Sequence, residues 1–118
     1  MRVELGAPEI VARRRRMEEL WFGELSKLAL VSARVFREDQ PIRWLYREAP
    51  DNKRDSGWRI FGGDESDEYA NEAGNSAAMP LRDILEAHPD IELLLDTPAP
   101  ASFERNHDGS FEATEPPQ

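Results

Sequence analysis

Apolar residues recur along this chain in two rhythms, one helical and one alternating. From Pro8 to about Lys27, Ile10, Met17, Leu20 and Trp21, with Leu28 just beyond, can share one helical face, and Pro8 suits a first helical turn. The tract Arg13, Arg14, Arg15, Arg16 interrupts that stripe, because four successive residues sweep about 300° of the helical wheel. The helix is therefore expected to begin as an exposed arm and to pack firmly only from Met17. Leu28–Val31 is a short apolar run that predicts a buried strand, leading through Ser32–Glu38 to a turn at Asp39-Gln40-Pro41. From Ile42 to Arg47 the positions alternate: Ile42, Trp44 and Tyr46 face one way, Arg43, Leu45 and Arg47 the other. Turn formers from Pro50 to Gly57 connect this strand to the next, Trp58–Phe61, and the two are expected to pair antiparallel. Trp58 and Ile60 alternate with Arg59 and Phe61, so this strand offers apolar groups to both faces.

Gly62-Gly63 ends that strand and Asp64 is placed to cap a short helix. Glu65, Asp67 and Glu68 then stand in its first turn and Gly74 closes it. A second helix is expected from Leu81 to His88, stopped by Pro89, and Ile91–Leu95 reads as a strand followed by a turn at Thr97–Pro100. Phe103 and Phe111 flank Asn106-His107-Asp108-Gly109, a hairpin signal. The pattern predicts an α+β domain: a small antiparallel sheet with short helices and an N-terminal helix. Residues 1–27 are expected to form a helical extension, 28–113 the α+β domain, and 114–118, with two prolines and no core former, a disordered tail.

Composition narrows the function classes. A length of 118 residues fits one core, and the absence of cysteine excludes disulfides, thiolate nucleophiles and cysteine-ligated metals. The longest apolar run is four residues, Leu28–Val31, and no apolar stretch follows the basic N-terminus, so a soluble cytoplasmic protein is expected. The net charge of −9 is unevenly spread: residues 1–60 carry 13 Lys/Arg against 10 Asp/Glu, residues 61–118 carry 2 against 14. The acidic half is expected to repel nucleic-acid phosphates and attract a basic surface, which argues against a nucleic acid partner, while the short apolar runs argue against a membrane.

The densest charge lies at Asp64–Glu68, where four of five side chains are carboxylates, flanked by Trp58, Phe61 and Tyr69. It can be a cation site, a helix start or a surface for a basic partner. Calcium-loop spacing fails: counting from Asp64, the sixth residue is Tyr69 where glycine is needed, and the twelfth is Asn75 where glutamate is needed. The string Gly62-Gly63-Asp64-Glu65 matches the start of the diguanylate cyclase signature, but Ser66 follows where phenylalanine belongs, and the chain is too short for that domain. His88 and His107 have no second ligand at motif spacing and read as surface histidines. No catalytic residue, cofactor or metal ligand is expected. The arginine tract reads as a solvated helix face, or as an arm reaching an acidic surface in a homodimer. Trp58, Asp64, Glu65, Asp67, Glu68 and Tyr69 are the candidate partner-binding residues; a small-ligand- or cation-binding regulatory domain is the alternative.

Three stretches carry a resemblance: Tyr46-Arg47-Glu48-Ala49-Pro50-Asp51-Asn52, then Asp55 through Glu65, then Asp67-Glu68-Tyr69. They resemble the immunity-protein thirty-three family of small bacterial proteins, and Leu94–Pro98 and Ala101–Arg105 are similar in kind and order. The family commonly has an aromatic residue where Ile60 stands and serine where Gly62 stands, and the segment before Lys27 lies outside its pattern. The resemblance implies a protein that neutralises a cognate toxin of a polymorphic toxin system by binding it, with no catalytic residues. Together with the acidic cluster it points to a basic toxin such as a nuclease.

Overall fold

The computed structural model describes residues 23–117. Six strands form one sheet: β1 (Leu28–Ser32), β2 (Trp44–Arg47), β3 (Asp55–Phe61), β4 (Ser76–Pro80), β5 (Ala101–Arg105) and β6 (Phe111–Ala113). Their order is β4-β1-β3-β2-β5-β6, and every neighbouring pair is antiparallel except β1 with β3. Short helices α1 (Ala33–Phe36), α2 (Asp67–Asn71) and α3 (Leu81–Ala87), with 3-10 turns at Ala73–Asn75 and Pro89–Leu94, complete an α+β fold. The expected pairing of β2 with β3 is present, with Trp44 opposite Phe61 and Arg47 opposite Trp58, and β5 and β6 form the expected hairpin.

One side of the sheet is the core. Ala29, Val31, Leu45, Trp58 and Ile60 project from the strands against Val35 of α1, Leu81 and Ile84 of α3, and Ile91 and Leu95 around the second 3-10 turn. The register of β1 on β3 slips in the middle: Leu28 lies opposite Asp55, yet Leu30 lies opposite Arg59. Gly57 makes this irregularity feasible. Its φ is +87°, and a Cβ there would lie 2.2 Å from the Glu48 carbonyl oxygen.

Several expectations need correction. Ile91–Leu95 is not a strand but falls largely within the 3-10 turn Pro89–Leu94. Ile91 and Leu95 are buried while Leu93 is 89% exposed, a four-residue spacing that suits a helical turn and contradicts alternation. The cap of α2 is Ser66, whose hydroxyl accepts from the Tyr69 amide at 3.1 Å, rather than Asp64. The helix ends at Asn71 with Glu72 as its C-cap, and Gly74 belongs to the following 3-10 turn. Ile42 precedes β2 and joins the core, so it does not share a face with Trp44 and Tyr46. Strand β4 and helix α1 had no periodic signal. β4 is a Ser-Ala-Ala-Met-Pro edge held by its backbone ladder to β1. Most of the helix expected from Pro8 to Lys27 lies outside the described residues, of which 23–25 are helical.

Candidate functional site

The acidic segment leaves the end of β3 through Gly62 and Gly63. Gly63 has φ +94°, and a Cβ there would approach the Arg43 Cβ to 2.9 Å. Glu65 turns back on this corner, accepting from the amides of Gly62 at 2.8 Å and Gly63 at 2.7 Å. Burial disfavours its charge, but the Ser32 hydroxyl and these amides outweigh that cost and lower its pKa. Asp64 lies 3.4 Å from Arg34 Nε. The same guanidinium donates to both oxygens of Glu38, at 3.1 Å each, and sits 4.3 Å over the Tyr69 ring. The Tyr69 hydroxyl completes the group by donating to Glu38 at 3.3 Å.

The six candidate residues thus divide. Glu65 is a brace, Asp64 and Tyr69 are gathered around Arg34, and Asp67 and Glu68 are exposed in the first turn of α2, with no ion pair among the described residues. Trp58 is fully buried on the core side of the sheet, where it stacks with Phe103 and lies beneath Arg47 rather than beside Tyr69. Its indole nitrogen has no hydrogen-bond partner among the described residues.

A second candidate surface was not singled out by sequence reasoning. On the face of the sheet opposite the core, register places Glu112, Glu104, Trp44 and Phe61 in one row across β6, β5, β2 and β3. The next row runs Ser102, Tyr46, Arg59, Leu30 and Ala78 across β5, β2, β3, β1 and β4. Trp44 and Phe61 stack at 4.8 Å between ring centroids, and Tyr46 lies 5.1 Å from Trp44 and 5.9 Å from Phe61. The Trp44 indole N–H donates to Ser102 Oγ at 3.1 Å. Thr114 Oγ1 donates to the same hydroxyl at 2.9 Å. Alternation in Trp44–Arg47 could have found this face, since it separates Leu45 from both aromatics, but it does not say which side is covered.

Arg59 is the charged side chain drawn deepest into this face, at 4% exposure. It makes two parallel bonds to Asp55, both 2.9 Å, and its Nε donates to Glu48 at 2.6 Å. Asp51 stands 3.7 Å away. The Arg59 guanidinium holds the Asp55 carboxyl far below the usual carboxylate range. A shallow cavity of about 130 Å³ opens beside this network, lined by Leu28, Ala29, Leu30, Asp51, Asn52, Asp55, Ala78 and Arg59 itself.

Chemistry has little to work with elsewhere. Among the described residues no three His, Asp or Glu side chains converge to hold a metal ion, and none of the described helices is long and apolar enough to cross a membrane. His88 caps the end of α3 and His107 lies in the β5–β6 turn, far apart in the chain and in different elements. What the geometry offers is surface: exposed carboxylates at one corner, and aromatics with carboxylates on an open face. No curated protein and no solved structure matches the chain. The family model of the immunity protein Imm33 domain matches residues 29–115, which takes in all six strands but for the first residue of β1. With well over half its length matched, including the network around Arg59 and the braced acidic corner, this chain belongs to the Imm33 immunity-protein family.

Proposed function

We propose that the protein neutralises a cognate toxin of a bacterial polymorphic toxin system by binding it, and that the corner formed by Asp64, Asp67, Glu68 and Tyr69 takes part in capture. Glu65 serves this corner as an internal brace, and Trp58 supports it only through the core. The observation that carries the reading is the pair Asp67 and Glu68: exposed, free of ion pairs among the described residues, and held on a turn fixed by Glu65 and Ser66. A negative patch of this kind steers a basic partner, such as a nuclease, and speeds its encounter. The protein acts in the cytoplasm, where such a toxin would find its target, and contributes no chemistry of its own.

The test is co-expression with the toxin domain encoded beside the gene, together with equilibrium binding of the two purified proteins. The D67K/E68K variant leaves Glu65 and Ser66, the groups that fix the corner, intact, and its circular dichroism is compared with the parent's before binding is read. Its affinity is expected to fall at least about tenfold at low salt, and the deficit to shrink near about 0.5 M salt, where exposed charges are screened. Unchanged affinity and salt dependence would remove the acidic corner from the reading; absence of both binding and protection in the parent would remove the reading itself.

A further inference from the structure

The open face of the sheet carries a charge arrangement that folding does not account for. Glu104 and Glu112 are directly opposite each other on β5 and β6, both exposed, and neither has an ion pair among the described residues. Like charges in that cross-strand relation destabilise a sheet. β6 is an edge strand, and a charge on an edge discourages pairing with other chains. A single glutamate would achieve that, so a second one directly opposite adds repulsion without adding protection. At the other end of the face, one guanidinium, Arg59, serves Asp55, Glu48 and Asp51. Side chains of the face and the Arg59 network together hold one cation against five carboxylates, Glu48 and Asp51 coming from the β2–β3 connection. Lys53 and Arg54, in the turn before β3, make no ion pair with any of the five.

Between these two negative poles lie the Trp44–Phe61–Tyr46 stack and Leu30, the latter 43% exposed. Aromatic side chains at the centre of a patch, with charge at its rim, are the composition of a protein-binding surface. Carboxylates beside aromatic rings are also the environment that attracts guanidinium and ammonium groups, by direct charge and by the ring quadrupole.

We propose that this face is a docking surface for a protein segment bearing arginine or lysine. One cationic side chain of that segment reaches Glu104 and Glu112 beside Trp44. A second enters the cavity next to Arg59, its aliphatic stem along Leu28, Leu30 and Ala78 and its charged end at Asp51. The occupant is a basic stretch of the cognate toxin; that identity rests on the immunity reading, whereas the cation-accepting chemistry does not. The surface is separate from the α2 corner, and occupation of both would let a partner bridge the end and the open face of the sheet.

The experiment titrates isotope-labelled full-length protein with a hexa-arginine peptide, with hexa-glutamate as control, and follows amide and indole N–H resonances. Saturable shifts are expected at the Trp44 indole, Tyr46, Leu30, Glu104 and Glu112. They should weaken at least about threefold in E104Q/E112Q, which removes two charges from the face, and persist in D67K/E68K. Shifts confined to α2, or shifts at the face that ignore E104Q/E112Q, overturn the proposal. A second readout needs no ligand. If the glutamate pair serves binding at the expense of stability, E112Q raises the melting temperature, and E112K, which makes an opposite-charge pair with Glu104, raises it further; a fall in both overturns it. With the cognate toxin, E104K/E112K should lose affinity beyond that lost by D67K/E68K. If the peptide binds as described but the toxin does not bind the parent, the docking face stands and the toxin as its occupant is overturned.

Discussion

Replacing Asp55 with Asn tests the network beneath the open face. The substitution preserves shape but removes the charge that meets a guanidinium whose side chain is only 5% exposed. Removing one partner of a buried ion pair costs about 3–5 kcal/mol. Two features lower that figure here. Glu48 still accepts from Arg59 Nε, and Glu48 is half exposed, so water reaches part of the network. Against this, Asp55 also accepts from the amides of Asp51 and Gly57, and an amide side chain cannot satisfy both of those and the guanidinium. The net cost should be about 2–3 kcal/mol, and at about 4–8 °C per kcal/mol the melting temperature should drop by about 10–20 °C at neutral pH.

The same variant has a defined pH signature. The folded pKa of Asp55 is depressed below its unfolded value, with hydrogen bonds from Arg59 the largest cause. Its contribution is therefore complete above the unfolded carboxylate pKa of about 3.9, and is lost as pH falls through that value towards the folded one. Parent and D55N should differ most above about pH 5 and converge on further acidification. Urea unfolding monitored at several pH values reads both quantities. The double variant D55N/R59M supplies the internal control, because it removes the guanidinium left unpaired by D55N while the amide side chain at position 55 can still accept from a backbone amide; it should recover part of the loss. A D55N variant within about 1 kcal/mol of the parent at neutral pH, or a gap that stays constant on acidification, would refute the reasoning.

Three other substitutions probe the scaffold. Gly57→Ala places a Cβ 2.2 Å from the Glu48 carbonyl at φ +87° and should cost at least about 3 kcal/mol or prevent folding, whereas Gly74→Ala, which meets nothing within 4 Å, should be tolerated; urea midpoints of the pair separate the two cases. Trp58→Phe should cost only about 1–2 kcal/mol against about 3–5 for Trp58→Ala, since the indole N–H has no partner among the described residues. Ser66→Ala removes the hydroxyl that caps α2 and should cost about 1 kcal/mol, visible as faster hydrogen exchange at the Tyr69 amide.

Legibility in the sequence followed the strength of local signals. The β2–β3 pair and the β5–β6 hairpin were readable because turn formers bracket short alternating runs, and α3 because Pro89 stops it. β4 was not readable: Ser76–Pro80 has weak strand preference, and its ladder to β1 is fixed by tertiary placement. Ile91–Leu95 misled because a five-residue stretch with four apolar positions around Glu92 fits either period, and the deciding fact, an exposed Leu93, belongs to the fold. The acidic cluster was visible at once, but its internal division was not. Nothing local says that Glu65 folds back onto two glycine amides while Asp67 and Glu68 stay free. The open face was invisible for a related reason, since alternation separates two faces without saying which one the helices cover.

The stretch that carries the family resemblance turns out to be mostly scaffold. Within Tyr46–Tyr69, Glu48, Asp55 and Arg59 bind one another, Gly57 relieves the strand irregularity, Trp58 fills the core, and Glu65 braces the corner. Residues already committed inside the chain have little left for a partner, which is why the proposed recognition is assigned to side chains around them. Asp67, Glu68, Glu104 and Glu112 have that freedom: each is exposed, and none supplies a bond that the sheet requires. On the proposed reading, these surface charges can change without disturbing the braces that hold the fold. It follows that exchanging Glu104 and Glu112 for neutral or basic residues should alter the choice of partner while leaving the fold intact. Exchanging Asp55 or Gly57 should lose the fold before it alters the choice.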